Sequence, residues 1–235
     1  MLEENLAASE ELVGSGETEI TVSQERPLSG LFRHARLVVF LSVASAVALI
    51  VSDLNTMTFI QRVQDSTYRS QSALNAAAAT VDGWTAMTNT IFFIIFVWSA
   101  IVIGRWTYRA MANVRSSGLT TSVSPGWAVG WYFIPVAFLW MPFRGLAQIW
   151  RGSHGHEPTG DALLPGAMRV WWAAFLLTNF AARLASTLSE TEDLGRLQTS
   201  ISVNILSHLA HILAALTILK IMRQITSAQQ VVAGT

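Results

Sequence analysis

Residues 91–98 have the sequence IFFIIFVW, and they lie at the centre of a mostly apolar run over residues 85–104. As an α-helix rising ~1.5 Å per residue, a run of about twenty residues covers ~30 Å, the thickness of the hydrocarbon core of a bilayer. The run is continuous and does not alternate with polar residues, so it predicts a helix and not a strand. We therefore expect residues 85–104 to span a membrane.

The composition also indicates an integral membrane protein. Hydrophobic residues make up 51% of the 235 residues. Charged residues make up 13%, whereas a typical soluble domain has roughly 25%. Further apolar runs lie at 36–53, 169–188 and 200–220. We predict an all-α, multi-pass membrane helical bundle with four transmembrane helices in a domain over residues 31–225, followed by a C-terminal tail over 226–235.

Charge is unevenly distributed along a chain that has no net formal charge. Residues 1–26 contain seven glutamates, one arginine and no aromatic residue, so we predict a disordered, acidic, cytoplasmic tail over 1–30. The neutral total gives no electrostatic basis for a nucleic-acid partner. The chain has no cysteine, which excludes disulfides, thiolate nucleophiles and cysteine-ligated metals.

Prolines interrupt a fifth apolar stretch, over residues 125–151. Ser124-Pro125 is typical of a helix start, with serine as the N-cap and proline at the first helical position. Pro135 is expected to end or kink this helix, and Pro142 to begin another. The predicted polar face of that second helix holds Arg144, Gln148 and Arg151. We predict a broken, re-entrant or interfacial segment that does not cross the membrane, with a complete fifth span as the alternative.

The basic residues favour four spans. With four spans, ten of the Lys and Arg residues after the tail lie on the cytoplasmic side and four on the other, as the positive-inside rule requires, whereas a fifth span largely removes the asymmetry. Both termini are then cytoplasmic. Seven tryptophans, Trp106 and Trp171 among them, are expected at that interface. The candidates for contact with the interface or with anionic lipid headgroups are Arg105, Arg109, Arg144, Arg151, Trp127 and Trp131.

Three polar residues are predicted near the bilayer midplane. His208 and His211 share one face of the fourth span, and Asn179 falls at a similar depth on the third. Such a cluster fits a proton relay or a polar substrate site, or else neutral histidines that bond across helices and stabilise packing. Haem ligation would require a second copy of the chain. No cofactor, metal site or catalytic residue is predicted.

Three motifs resemble those of one known family. They are R-A-x-x-N at residues 109–113, S-P-G-W-A-V-G-W-x-x-x-P at 124–135, and W-R-G-S at 150–153 after a proline-led helix. The chain resembles an uncharacterised family of bacterial integral membrane proteins, DUF4328, over roughly residues 35–225. Family members often carry an asparagine where this chain has the apolar residues 136–139. The resemblance implies a bacterial inner-membrane location and no activity.

The aromatic surface of the broken segment would be exposed unless something covers it. We therefore predict a non-enzymatic membrane module that assembles with itself or with a partner protein through this segment. The alternative is a small transporter or channel that uses Asn179, His208 and His211.

Overall fold

The computed structural model describes residues 27–190 and 193–232, and these residues form helices and connections without any strand. The predicted all-α fold class is confirmed. The acidic tail predicted for 1–30 lies outside the described residues as far as residue 26. The helices are α1 (Ser29–Gln64), α2 (Gln71–Ser116), α3 (Pro125–Gly130), α4 (Met141–Ser153), α5 (Gly166–Ser189) and α6 (Leu194–Val232).

Three of these helices, α1, α2 and α6, are long and apolar enough to cross a membrane. The third predicted span, α5, is not among them. Its 24 residues reach ~36 Å, which is sufficient length. However, Asn179 and Arg183 interrupt its apolar sequence, so its mean hydropathy is lower.

Helices α1 and α2 both extend beyond the predicted spans and leave only residues 65–70 between them. The extension of α2 follows from the sequence at its start. Residues 71–79 are rich in alanine, which has the most favourable helix propensity. Ser70 caps the start of α2, because its hydroxyl accepts a hydrogen bond of 3.2 Å from the Ala73 N–H.

The four long helices pack in the order α2, α1, α6, α5. The connection 65–70, the end of α5 at Ser189 and the start of α6 at Leu194 lie at one end of this row. We call the other end, which carries Arg109, Arg169 and Arg223, the basic end. The largest hydrophobic cluster lies here and combines the last turns of α2 and α6 with the first turns of α5; its fully buried side chains include Trp106, Met111, Met168, Ile221, Met222 and Ile225.

Residues 125–151 form no continuous helix. Helix α3 begins as predicted, with the Ser124 hydroxyl accepting from the Trp127 N–H at 3.4 Å. Short 3₁₀ turns follow at 131–133 and 137–139, and Val136 between them has φ of 69°. The chain enters this broken segment from α2 and leaves it into α5 at the same, basic end.

Candidate functional site

Two histidines of α6 face two polar side chains of α1. The Nε2 atom of His211 lies 2.6 Å from the Ser42 hydroxyl. The Nε2 atom of His208 lies 3.4 Å from an Asp53 carboxylate oxygen, which is within ion-pair distance but without hydrogen-bond alignment. We call these four residues the α1–α6 polar pairs. They form because α1 and α6 run antiparallel, so the earlier residue of α1 meets the later residue of α6.

Asp53 has a second partner on the same face of α6. The side-chain amide of Asn204 donates to both carboxylate oxygens, at 3.4 and 3.2 Å. Asn204, His208 and His211 are spaced four and three residues apart, so a single helical face carries all three. Asp53 was not among the predicted site residues. The available sequence indication was a carboxylate directly after an apolar run that continues as helix.

Phe92, from the stretch that predicted the fold, covers both histidines. Its ring centroid lies 6.2 Å from that of His208 and 5.4 Å from that of His211, and both contacts are edge-to-face. His208 is 9% exposed. The polar pairs are therefore enclosed by α1, α2 and α6, and the apolar side chain on α2 limits access from that side.

The predicted cluster of Asn179 with the two histidines is not formed. Asn179 is exposed, and its amide donates to the Phe175 carbonyl of its own helix at 2.8 Å. The rise per residue gives the depth of a side chain but not the neighbour that it faces. Helix α5 instead contacts α6 through serine hydroxyls, such as that of Ser207, which donates to the Thr178 carbonyl at 3.0 Å.

Gln229 joins three helices at the basic end. Its amide nitrogen donates to the Ala110 carbonyl at 3.1 Å and lies 2.8 Å from the Ser153 hydroxyl, and its amide oxygen accepts from the Asn113 side chain at 2.9 Å. Gln229, Asn113 and Ser153 are all buried. The R-A-x-x-N and W-R-G-S motifs therefore meet at one glutamine of α6, and we call this set the Gln229 network.

Trp106 and Gly152 add to the packing of this end. Trp106 is fully buried and its indole N–H donates to the Thr226 hydroxyl at 3.1 Å, so its ring packs inside the protein and does not face lipid. A Cβ atom on Gly152 would lie 2.4 Å from a methyl carbon of Val114. Only glycine permits α4 to lie this close to α2.

Gln148 was predicted on the polar face of the helix after Pro142, and it does line one cavity with Arg144 and Arg151, but it is buried and does not face the membrane interface. Its amide oxygen accepts from the backbone N–H groups of Ser122 and Val123, at 3.0 and 3.3 Å. Its amide nitrogen donates to the Ser122 hydroxyl at 2.6 Å. Gln148 thus fixes the chain directly before the Ser124 cap and sets the direction in which the broken segment starts.

The four arginines predicted to meet lipid headgroups lie at two separate cavities. Arg105 and Arg109 line a groove of about 620 Å³ between α2 and the broken segment. Arg144 and Arg151 line a smaller cavity of about 280 Å³ beside the connection to α5, where the Arg151 Nε donates to the Ala162 carbonyl at 3.0 Å. Neither cavity includes the α1–α6 polar pairs.

The predicted aromatic pair Trp127 and Trp131 stacks within the broken segment, with ring centroids 4.5 Å apart. Trp127 remains half exposed. On the far side of the segment, the Tyr132 ring makes an edge-to-face contact with Phe175 of α5 at 5.9 Å. The broken segment therefore joins the two outer helices of the row, α2 and α5, which scarcely meet elsewhere.

Comparison with known proteins gives one match. No curated protein and no solved structure matches the chain. One family model matches residues 69–227, which is more than half of the chain and includes α2 to α5 in full and α6 as far as residue 227. The matched range contains the three motifs, and with them the Asn113 and Ser153 partners of Gln229, and it ends two residues before Gln229 itself. The chain therefore belongs to the family described as domain of unknown function, DUF4328.

Proposed function

We propose that this protein is a non-enzymatic, multi-pass module of the bacterial inner membrane that assembles with itself or with another membrane protein through the broken segment. Helices α1, α2, α5 and α6 are its four spans, and the basic end and both termini are cytoplasmic. The positive-inside rule supports this orientation. The entry and exit of the broken segment at the same end support an even number of crossings.

The proposal rests on the depth and the exposure of residues 133–136, which we call the tip of the broken segment. Phe133 shares a groove with Phe96, which precedes Arg105 by nine residues, or ~13 Å along α2. Irregular backbone at such a depth is tolerated only where protein or a water-filled cavity surrounds it. Yet Phe133 is 77% exposed and Val136 is 63% exposed.

The backbone at Val136 supports the same interpretation. A positive φ of 69° is a true outlier for a β-branched residue and costs of order 1–3 kcal/mol. Such strain persists where surrounding structure imposes it and is concentrated at functional sites. A partner that covers the tip would hold its backbone in this conformation and bury its apolar side chains.

Cross-linking in native membranes tests the proposal, and the absence of natural cysteine makes single-cysteine variants specific. With Val136→Cys, a bis-maleimide is expected to produce a larger species, either a dimer or a product with another membrane protein. Leu184→Cys is the matched control, since Leu184 is 51% exposed on α5 and lies nine residues, or ~13 Å, beyond the Phe175 that contacts the broken segment. Equal cross-linking of both variants, or none at Val136→Cys, would refute assembly through the segment.

Cysteine labelling tests the topology separately. Leu163→Cys, Ser189→Cys and Ser227→Cys replace exposed residues in the connection before α5, at the end of α5 and near the end of α6. An impermeant maleimide applied to intact cells should label only Ser189→Cys, and the other two should react after lysis. Labelling of Leu163→Cys from outside would mean that the broken segment crosses the membrane.

The α1–α6 polar pairs support a second candidate, a proton or cation path. An ionisable pair such as Asp53 and His208 within spanning helices is costly and points to function. In proteoliposomes with a pH-sensitive dye inside, the protein would conduct protons under an applied potential, and Asp53→Asn would lower the flux at least tenfold. Asp65→Asn, in the connection after α1, is the control. Wild-type flux no higher than that of protein-free vesicles would remove this candidate.

A further inference from the structure

The groove between α2 and the broken segment has a strongly charged end. Arg105 and Arg109 are four residues apart on one face of α2, and both residues line the groove with Tyr108. Within residues 27–190 and 193–232, neither arginine has a carboxylate in ion-pair distance or a side-chain hydrogen bond. The two arginines therefore place two positive charges at one end of the groove, and no carboxylate among the described residues neutralises them.

The rest of the groove is apolar. Phe96, Val97 and Ile101 of α2 form one wall, and Val129 and Phe133 of the broken segment form the other. The volume of about 620 Å³ is in the range of small-molecule sites, roughly 300–1,000 Å³. From Arg105 to Phe96 the groove extends ~13 Å along the helix, close to the ~15 Å of hydrocarbon in one leaflet of a bilayer.

We propose that this groove binds one anionic glycerophospholipid. The phosphate lies between Arg105 and Arg109, where two positive charges and five guanidinium N–H donors on each side chain suit its oxygens. One acyl chain lies along α2 and against Phe133. The site takes a lipid and not a protein, so it goes beyond the assembly function proposed above.

The dimensions of the groove select a lipid over the other available anion, the acidic segment 1–26. That segment precedes α1, whose Leu31 also lines the groove. It would supply carboxylates for the arginines, but it contains no aromatic residue and no sustained apolar run to fill the remaining ~13 Å. A phospholipid has a charged headgroup followed by hydrocarbon. This order matches the groove, in which the two arginines are followed by apolar walls.

Native mass spectrometry of the full chain in mild detergent tests the site, with phosphatidylglycerol and phosphatidylcholine of identical acyl chains as probes. The wild type is expected to retain one phosphatidylglycerol in preference to phosphatidylcholine. Arg105→Gln with Arg109→Gln should weaken phosphatidylglycerol binding about thirtyfold, from about fivefold for each basic residue near an anionic group. Binding of phosphatidylcholine should fall less, because the choline group already balances the charge of its phosphate.

Two further variants separate the site from general attraction to the basic end. Arg169→Gln with Arg223→Gln removes the same charge from exposed positions of α5 and α6 that do not line the groove, and should leave retention unchanged. Ala100→Phe keeps every charge but fills the groove from its exposed wall, and should reduce retention of both lipids.

Three results would overturn the proposal. These are equal loss in the two double-arginine variants, no preference for phosphatidylglycerol in the wild type, and a preference that emerges only when residues 1–26 are deleted. The last result would assign the groove to the acidic segment. The outcome is independent of the assembly function, because Arg105→Gln with Arg109→Gln should leave cross-linking at Val136→Cys intact.

Discussion

The Gln229 network and the α1–α6 polar pairs place similar polar groups in very different surroundings. In the network, one buried amide bonds to a backbone carbonyl, a hydroxyl and a second amide from two other helices. In the polar pairs, each histidine meets a single group on the adjacent helix. The network therefore joins three helices, α2, α4 and α6, whereas each polar pair joins only two, α1 and α6.

The difference indicates where the fold is stabilised. The network lies within the largest hydrophobic cluster, where its loss would leave several polar atoms unpaired in a packed interior. Interhelical hydrogen bonds between spans contribute little, on average about 0.6 kcal/mol, because the separated helices also find partners in the membrane. We expect the basic end to dominate stability and the polar pairs to be available for other roles.

The largest loss is expected from Gln229→Leu. The change removes three hydrogen bonds and leaves the Ala110 carbonyl and the Ser153 hydroxyl buried without this partner, so unfolding in detergent should become easier by about 3 kcal/mol. Titration with a denaturing detergent measures it. Gln230→Leu, at the exposed neighbouring residue, is the control and should cost less than about 0.5 kcal/mol. Equal losses would mean that the network does not anchor the three helices.

A smaller loss, about 2 kcal/mol, is expected from Gly152→Ala, because the new methyl group would overlap Val114 and force α4 away from α2. The same denaturing titration applies. Gly126→Ala is the matched control, since a Cβ there meets no atom within 4 Å, and alanine favours a helix. If Gly152→Ala is as stable as the wild type, the close approach of the two helices is not required at the basic end.

The smallest effect is expected in the polar pairs. Ser42→Ala removes the contact with His211 and should cost about 0.6 kcal/mol. Ser45→Ala removes an equal hydroxyl that donates only to the Ser42 carbonyl of its own helix, at 3.0 Å, and should cost still less. A loss above about 2 kcal/mol for Ser42→Ala would mean that the polar pairs stabilise the fold as much as the basic end does. The proposed difference between the two regions would then be wrong.

The sequence predicted those features that depend on local chemistry. Long apolar runs gave the positions of α1, α2 and α6, and the Ser124-Pro125 pair gave the first residue of α3. The alanine-rich sequence after Ser70 was less informative, since a polar connection and a helical extension were both compatible with it. In the structure these residues are helical, and α2 is therefore 46 residues long.

The partners of the buried polar residues could not be predicted, because packing decides which face of a helix is covered. Gln148 follows the spacing of a polar face, yet the backbone of residues 122 and 123 covers it. Asn179 was predicted at the depth of the histidines, but its side chain bonds to its own helix and does not face them. Asp53 lies at the end of its apolar run, and only the antiparallel pairing of α1 with α6 brings it to His208.

Helix α2 has a mechanical consequence. It contains no proline, the commonest cause of a sharp kink, and its 46 residues extend over ~69 Å, about twice the hydrocarbon thickness of a bilayer. Gln71 at one end and Asn113 at the other therefore belong to one stiff rod. If the turn beside Gln71 is tilted, we expect the far end of α2 to move with it as a lever. That movement would displace the α2 wall of the groove and the Gln229 network together.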